Sequence, residues 1–501
     1  MGVPLVTALA LAAPTPAPAQ EAVRPAAVAG QFYPADAERL RGALAAFLAR
    51  ARPPTDRRPI AIVAPHAGYT FSGQIAADAW NQAAGHRFDT IVLLGANHTE
   101  GGFDRIGVYR GRGFETPLGL APIDRDLAEA LVAADADIVW HGGVHAREHS
   151  VEVHVPFVQY LFPDARILPV VIGSPDLERA RRFGRALAGV LTDRRALIVA
   201  SSDLSHYPEV DDARRVDRET LEAIAALDPA RVQTTLRAVE RRGVRGLVTG
   251  ACGEAPVLAG LAAALELGAR TGAVVSYATS ADAPLGEPKR VVGYGAVVVT
   301  DGPGTTTWTD GPAPPDASGA LESADRRALV TIARDAIRQF AATETAPLAR
   351  DATPRLMREQ GVFVTLRRRG QMRGCIGRVQ PDGPLHWLVG SVALQAAFAD
   401  PRFDPVRPGE IDRLELEIAL LSPPRTIGTP AEISVGHDGV ILAKDGKSAL
   451  FLPEVAVEEG WNRYDLLDNL CQKAGLPVTC WRAGATLATF RTEVIRERDV
   501  R

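Results

Sequence analysis

Pro59-Ile-Ala-Ile-Val-Ala-Pro65 runs directly into His66-Ala-Gly-Tyr69, and the chain repeats the device twice. Thr90-Ile-Val-Leu-Leu-Gly95 leads to Asn97-His98, and Ala196-Leu-Ile-Val-Ala200 leads to Ser201-Ser-Asp203-Leu-Ser-His206. Short β-branched runs closed by polar turns read as buried strands of an α/β sheet. Ligands of such sheets collect beyond the carboxyl ends of the strands. If the three strands are neighbours, His66, His98, Asp203 and His206 converge on one pocket, which is the pattern of a metal site.

The bulk composition narrows the classes. A chain of 501 residues exceeds one ordinary core, so two or more domains are expected. It is 46% hydrophobic and 23% charged with a net charge of −4, as a soluble globular protein is, with no basic footprint for nucleic acid. Four cysteines, at 252, 375, 471 and 480, are too few for a disulfide scaffold and lack CxxC spacing. Eight of the ten histidines lie between His66 and His206, which concentrates metal-capable chemistry there. Val3-Pro-Leu-Val-Thr-Ala-Leu-Ala-Leu-Ala-Ala13 has the length of a signal-peptide core, with Ala17-Pro18-Ala19 as a cleavage site. No Lys or Arg precedes it, so two localisations stay open: an exported, periplasmic protein, or a cytoplasmic one. No other stretch reaches the ~18 apolar residues of a membrane span, so no membrane insertion of the mature chain is expected.

Strand and helix patterns alternate to about residue 300. Residues 1–21 read as a signal peptide or disordered leader, and the Pro/Ala-rich stretch 14–30 as disordered. Helices are expected over 37–52, 72–84 and 156–162, and a strand-like run over 245–250 before Ala251-Cys252-Gly253-Glu254. This makes 22–300 an α/β domain with a mostly parallel sheet flanked by helices. Residues 301–320 are a linker by composition. A fresh helical pattern near Glu322 opens a second, α+β domain over 321–498, with strands near 361–366 and 414–420.

His66 and His98 sit just past strand ends, where a loop aims an imidazole without bending the sheet. Cys252 precedes a helix, whose positive end favours the metal-binding thiolate. Two imidazoles and a thiolate leave an open position at a tetrahedral metal. Asp203 and His206, or His149 with Glu152 and His154, then serve as supporting partners or as acid and base. A lone histidine beside a strand is ordinarily a satisfied residue, the reading given to His86 and His141.

Pro65-His66-Ala67-Gly68-Tyr69, Gly95-Ala96-Asn97-His98, Glu148-His149-Ser150-Val151-Glu152-Val153-His154-Val155-Pro156, Ser201-Ser202-Asp203 with His206, and Ala251-Cys252-Gly253 resemble the Memo family, in that order. Gly30-Gln-Phe-Tyr-Pro34 extends the likeness. The resemblance implies a class III extradiol dioxygenase-like fold, His66, His98 and Cys252 as ligands of iron or copper, and His149, His154, Asp203 and His206 lining the pocket. Those dioxygenases use two His and one carboxylate. Cys252 stands where the carboxylate is wanted, with Glu254 as a substitute. Ring cleavage is thus a weaker inheritance than a redox-active metal site.

In the second domain, Gln371-Met372-Arg373-Gly374-Cys375-Ile376-Gly377 marks a candidate reactive thiol, with Arg373 to lower its pKa and His386 as base; a buried structural cysteine is the alternative. The Arg367-Arg368-Arg369 run reads as a solvated hairpin end. With Ala399-Asp400-Pro401-Arg402-Phe403 and Gly436-His437-Asp438-Gly439-Val440, the motif resembles the AMMECR family. The two resemblances together imply an AmmeMemoRadiSam B component fused to its A component. No Cys-x3-Cys-x2-Cys motif is present, so a radical-SAM partner would be a separate chain. Two functions follow as expectations: a metal-dependent oxidoreductase acting on a small-molecule or peptide ligand, or a non-catalytic accessory protein acting with that partner. Metal-assisted hydrolysis is a third.

Overall fold

The computed structural model describes residues 22–287, 289–302, 319–348 and 352–500. The signal-peptide segment 1–21 and most of the 301–320 linker lie outside the described residues. The apolar runs build one eight-stranded sheet. Its spatial order is Thr271–Thr279, Gly293–Thr300, Ala61–Ala64, Ala196–Ser201, Thr90–Ala96, Arg166–Ile172, Ile106–Val108, Ile138–Trp140. The four central strands are parallel, and antiparallel pairings flank them on both sides, so the sheet is mixed with a parallel centre. Every residue of Ala61–Ala64 and Thr90–Ala96 is buried, as strands covered on both faces require. The helix Tyr69–Asn81 packs on Ala61–Ala64 and the antiparallel pair beside it, while Glu254–Glu266 packs on Ala196–Ser201 and Thr90–Ala96. The first of these helices begins three residues before the expected 72 because Gly68 occupies its N-cap.

Two expectations are corrected. The 245–250 run forms no strand; only Thr249 bridges to His206. Gly246 has a φ of 79°, a left-handed geometry that interrupts extended backbone. The stretch 22–30, read as part of a disordered lead-in, is ordered: Val23–Arg24 pairs in parallel with Gly113 and Phe114. Arg24 explains this order. Its guanidinium is 2% exposed, lies 2.6 Å from Glu152, and donates to the carbonyls of His145 and Glu148. Glu152 accepts further bonds from the Ala27 and Val28 amides and the Tyr33 hydroxyl. The leading segment is thereby pinned across the 145–154 stretch.

The second half forms two four-stranded antiparallel sheets with separate cores. One comprises Gln371–Arg378, Val362–Arg368, Glu415–Leu421 and Thr492–Arg496, and the other Arg425–Ile427, Thr486–Phe490, Gly439–Lys444 and Lys447–Phe451. Cys471 and Cys480 form a disulfide in the second core. The halves touch: Trp387 donates from its indole to the Ala283 carbonyl at 2.7 Å, and Arg50 pairs with Asp335 at 2.5 Å. No helix among the described residues is long and apolar enough to cross a membrane.

Removing one partner of a buried ion pair strands the other charge. Arg24→Ala should therefore cost about 3–5 kcal/mol, read as a lower urea midpoint for the first domain, whereas an unchanged midpoint would show that the pair does not hold the leading segment.

Candidate metal centre

Ala61–Ala64, Ala196–Ser201 and Thr90–Ala96 are parallel, and the first and third both pair with the second. Their carboxyl ends therefore open side by side, and His66, Asp203 and His98 leave the sheet at one edge. His66 is 1% exposed; its amide donates to Asp203 Oδ1 at 2.8 Å and its Nδ1 lies 2.7 Å from Ser201 Oγ. The same hydroxyl donates to the Ser150 carbonyl at 2.6 Å and lies 2.9 Å from His154 Nε2. A hydroxyl has one proton to give and two lone pairs to receive. With its proton committed to Ser150, Ser201 accepts from both rings, which assigns the tautomers from the network. His66 is protonated at Nδ1, so its Nε2 presents a lone pair, 3.1 Å from Cys252 Sγ. His154 is protonated at Nε2, and its Nδ1 receives the Trp80 indole N–H at 3.3 Å.

The second nitrogen donor is prepared by a carboxylate. Glu148, 1% exposed, lies 2.9 Å from His98 Nδ1 and 3.4 Å from His149 Nδ1, and accepts the amides of His98 and Ser150. Burial raises the Glu148 pKa, but the bonds and charge from His98 and the amide of Ser150 outweigh it and hold the group at about 2. The anionic carboxylate accepts a hydrogen bond from His98 Nδ1–H, which turns Nε2 away from it. His149 opens the short helix His149–Glu152, whose Ser150 hydroxyl bonds the Ala96 carbonyl. Gly95 makes this seat possible: a Cβ there would lie 2.5 Å from both Ser150 Oγ and Val151 Cγ2.

Two groups of potential ligand atoms lie within 4.8 Å of one another: His66 with His98 and His149, and His66 with Asp203 and Cys252. Among the described residues, His66, His98 and Cys252 do not close to that distance as one group; they are divided between two sets that share His66. His206 reaches the same region. Its Nε2 is buried without a hydrogen-bond partner among the described residues, and burial and the His98 charge lower its pKa to about 4. Burial, opposed by Glu148, brings His149 to about 4. Burial lifts Asp203 to about 7 against the amides of His66 and Ala67.

Other expected residues take different places. His154, fully buried, supports Ser201 from behind and takes no part in either ligand group. Cys252 does precede the helix Glu254–Glu266, yet burial and the neighbouring Asp203 push its thiol pKa well up, opposite to the expected thiolate. Desolvation outweighs the helix end while no cation is beside it. Glu254 turns to Gln233 and Arg237, which leaves Asp203 as the carboxylate of the site. Cys375 lies in the other half of the chain, on Gln371–Arg378, and its amide donates to Asp400. Arg373 is spent on Glu410 and on the carbonyls of Asp404 and Pro405, and His386 bonds the Leu356 carbonyl. The sequence pattern does not single out Glu148 and Ser201 as functional groups; their only signal is adjacency to His149 and to Ser202-Asp203 in the motifs.

Residues 24–298 match the family profile described as Memo-like protein. The chain belongs to the Memo-like family. Residues 330–495 match AMMECR1, so a Memo-like region is followed by an AMMECR1 region in one chain. A MEMO1 family protein of Methanopyrus kandleri, MK0963, is 38% identical over 295 residues, spanning 56% of this chain and 99% of that protein. One from Aquifex aeolicus is 38% identical over 276 residues, 54% of this chain and 97% of that protein. A crystal structure of the uncharacterized protein PH0010 from Pyrococcus horikoshii shares 37% identity, covering 35% of this chain and 92% of its own, with a TM-score of 0.33.

In the metal-free Memo-like region, His149 and His206 should titrate near pH 4 rather than 6.5. Their folded pKa values lie below the unfolded one, so the unfolded chain binds more protons in that window. Their contribution to stability is complete above pH 6.5 and declines as pH falls toward 4. Histidine ring NMR signals followed against pH test this, and midpoints at the ordinary value would contradict it.

Proposed function

We propose that the Memo-like region is a metal-dependent redox protein, with iron or copper held through His66 Nε2 and His98 Nε2. The observation that carries this reading is the pair of anchored Nδ1 atoms, on Ser201 and Glu148, which turns both Nε2 atoms away from their anchors, that of His66 to within 3.1 Å of Cys252 Sγ. The donor chemistry fits such a metal: imidazoles, a thiol and a carboxylate lie within reach, and the buried His206 Nε2 stands unpartnered among the described residues. His149 completes one ligand group with His66 and His98, while Asp203 and Cys252 form the other group around His66. A bound iron or copper would supply one-electron redox chemistry. The chain's own residues orient and protonate: Ser201 and Glu148 fix the rings, and the buried Asp203 carboxyl, held by the amides of His66 and Ala67, is placed to hold a proton beside them. A class III extradiol dioxygenase-like relationship is supported by histidines at the carboxyl ends of a parallel central sheet.

His66→Ala should abolish metal uptake, since it empties both groups, and Glu148→Gln should weaken it about 10–100-fold by releasing His98 and His149. Metal content of tag-free protein tests both; iron or copper at the wild-type level in His66→Ala would defeat the reading.

A second reading, an accessory protein acting with a separate radical-SAM chain, draws on the fused AMMECR1 region. Co-purification of such a partner, with oxygen consumption indifferent to added metal, would favour it. We further propose that Cys375 is a reactive thiol and that the protein is exported, the latter supported by the Cys471–Cys480 disulfide. The disulfide leaves Cys252 and Cys375 as the free thiols. Because burial raises the Cys252 thiol, an alkylating reagent should modify Cys375 first in unreduced protein. Mass spectrometry of the labelled peptides decides, and earlier labelling of Cys252 would remove Cys375 from the candidate sites.

A further inference from the structure

The arginine-rich end of the AMMECR1 region is more than a solvated hairpin. Arg369 does occupy the turn, with a φ of 53°, but Arg368 lines an open depression of about 930 Å³ together with Arg373, Arg402, Phe403 and Arg407. Four guanidiniums gathered on one surface repel one another, so their positions need an internal brace. Glu410, 8% exposed, provides it, lying 3.2 Å from Arg368 and 2.8 Å from Arg373. Asp400, 4% exposed, lies behind Arg402 and accepts from its Nε and terminal nitrogen at 2.9 and 2.8 Å. Arg402 also donates to the Cys375 carbonyl at 2.6 Å, which ties the depression to the strand that carries the thiol.

The braces leave unused capacity. Arg407 donates its backbone amide to Glu410 while its guanidinium has no carboxylate partner among the described residues, and Arg368 makes one long contact with Glu410. The side chain of Arg402 remains 54% exposed beyond its pair with Asp400. Guanidiniums with spare N–H groups, held in fixed orientation, are suited to planar, multidentate capture of an oxyanion. A phosphate monoester offers three acceptor oxygens and nearly two charges, where a carboxylate offers two oxygens and one charge. Phe403 beside Arg402 supplies a ring face for the organic part.

We propose that this depression is a binding site for an organic phosphate, held by Arg368, Arg402 and Arg407 next to the Cys375 strand. The assignment is independent of the metal centre in the Memo-like region.

The probe is phenyl phosphate, titrated into the full-length chain after chelator treatment, with benzoate as the carboxylate counterpart. Phenyl phosphate should bind at low salt and weaken as salt is added. Arg368→Ala and Arg407→Ala should each reduce affinity about tenfold or more, the scale of a lost charge-assisted hydrogen bond. Arg369→Ala removes the same charge at the turn and should leave affinity unchanged. Both pocket side chains reach solvent, so their removal spares the core, and unchanged thermal midpoints verify this. The proposal is overturned if phenyl phosphate fails to bind, if benzoate binds equally well, if Arg369→Ala loses as much affinity as the pocket variants, or if those variants bind like the wild type.

Discussion

One proton on one hydroxyl organises the centre of the Memo-like region. Ser201 Oγ has a single hydrogen, and the Ser150 carbonyl takes it. Both histidines that meet the oxygen must then donate to it, which turns the lone pair of His66 outward and that of His154 inward to Trp80. Imidazole can accept only from the ring nitrogen that lacks a proton, so this bond decides which histidine offers itself to a cation. Burial keeps both rings neutral and gives the arrangement persistence, as the depressed pKa values of His66 and His154 express.

Glu148 performs the parallel task for His98, but as an anion, and the anion has to be maintained in a buried place. Two amides and a ring N–H do so, and their sum exceeds the cost of desolvation. Nearby, Arg24 bonds the Glu148 carbonyl while its charge is matched by Glu152. The 145–154 stretch is thus locked from one side by the leading segment and from the other by Ser150 on the strand edge. The short helix His149–Glu152 is thereby held in place by buried charge at its end.

Asp203 and Cys252 share the remaining edge of the site, and both have pKa values raised by burial. A pocket whose acids are poised toward neutrality differs from one already carrying a thiolate. A metal ligand must first lose its proton, so cation binding at this edge would be coupled to deprotonation. The helix-end argument for Cys252 fails because a helix terminus contributes a partial charge, whereas full burial removes the solvation of a whole one.

The strand ends and the residue types beyond them were legible in the chain itself, because apolar runs closed by polar turns admit few other structures. His66, His98 and Asp203 follow from their places after the apolar runs, and the AMMECR1 region from the resemblance its motifs carry. Strand adjacency, the division of ligands between two groups, and the commitment of Arg24 to Glu152 were not legible, since each joins residues far apart in the chain. Pairings of that kind depend on which groups are left without water once the core closes. The sequence alone determined which chemical groups stand at the ends of the strands. Only the tertiary structure decided their protonation and orientation, because both depend on hydrogen-bond partners and burial supplied from elsewhere in the fold.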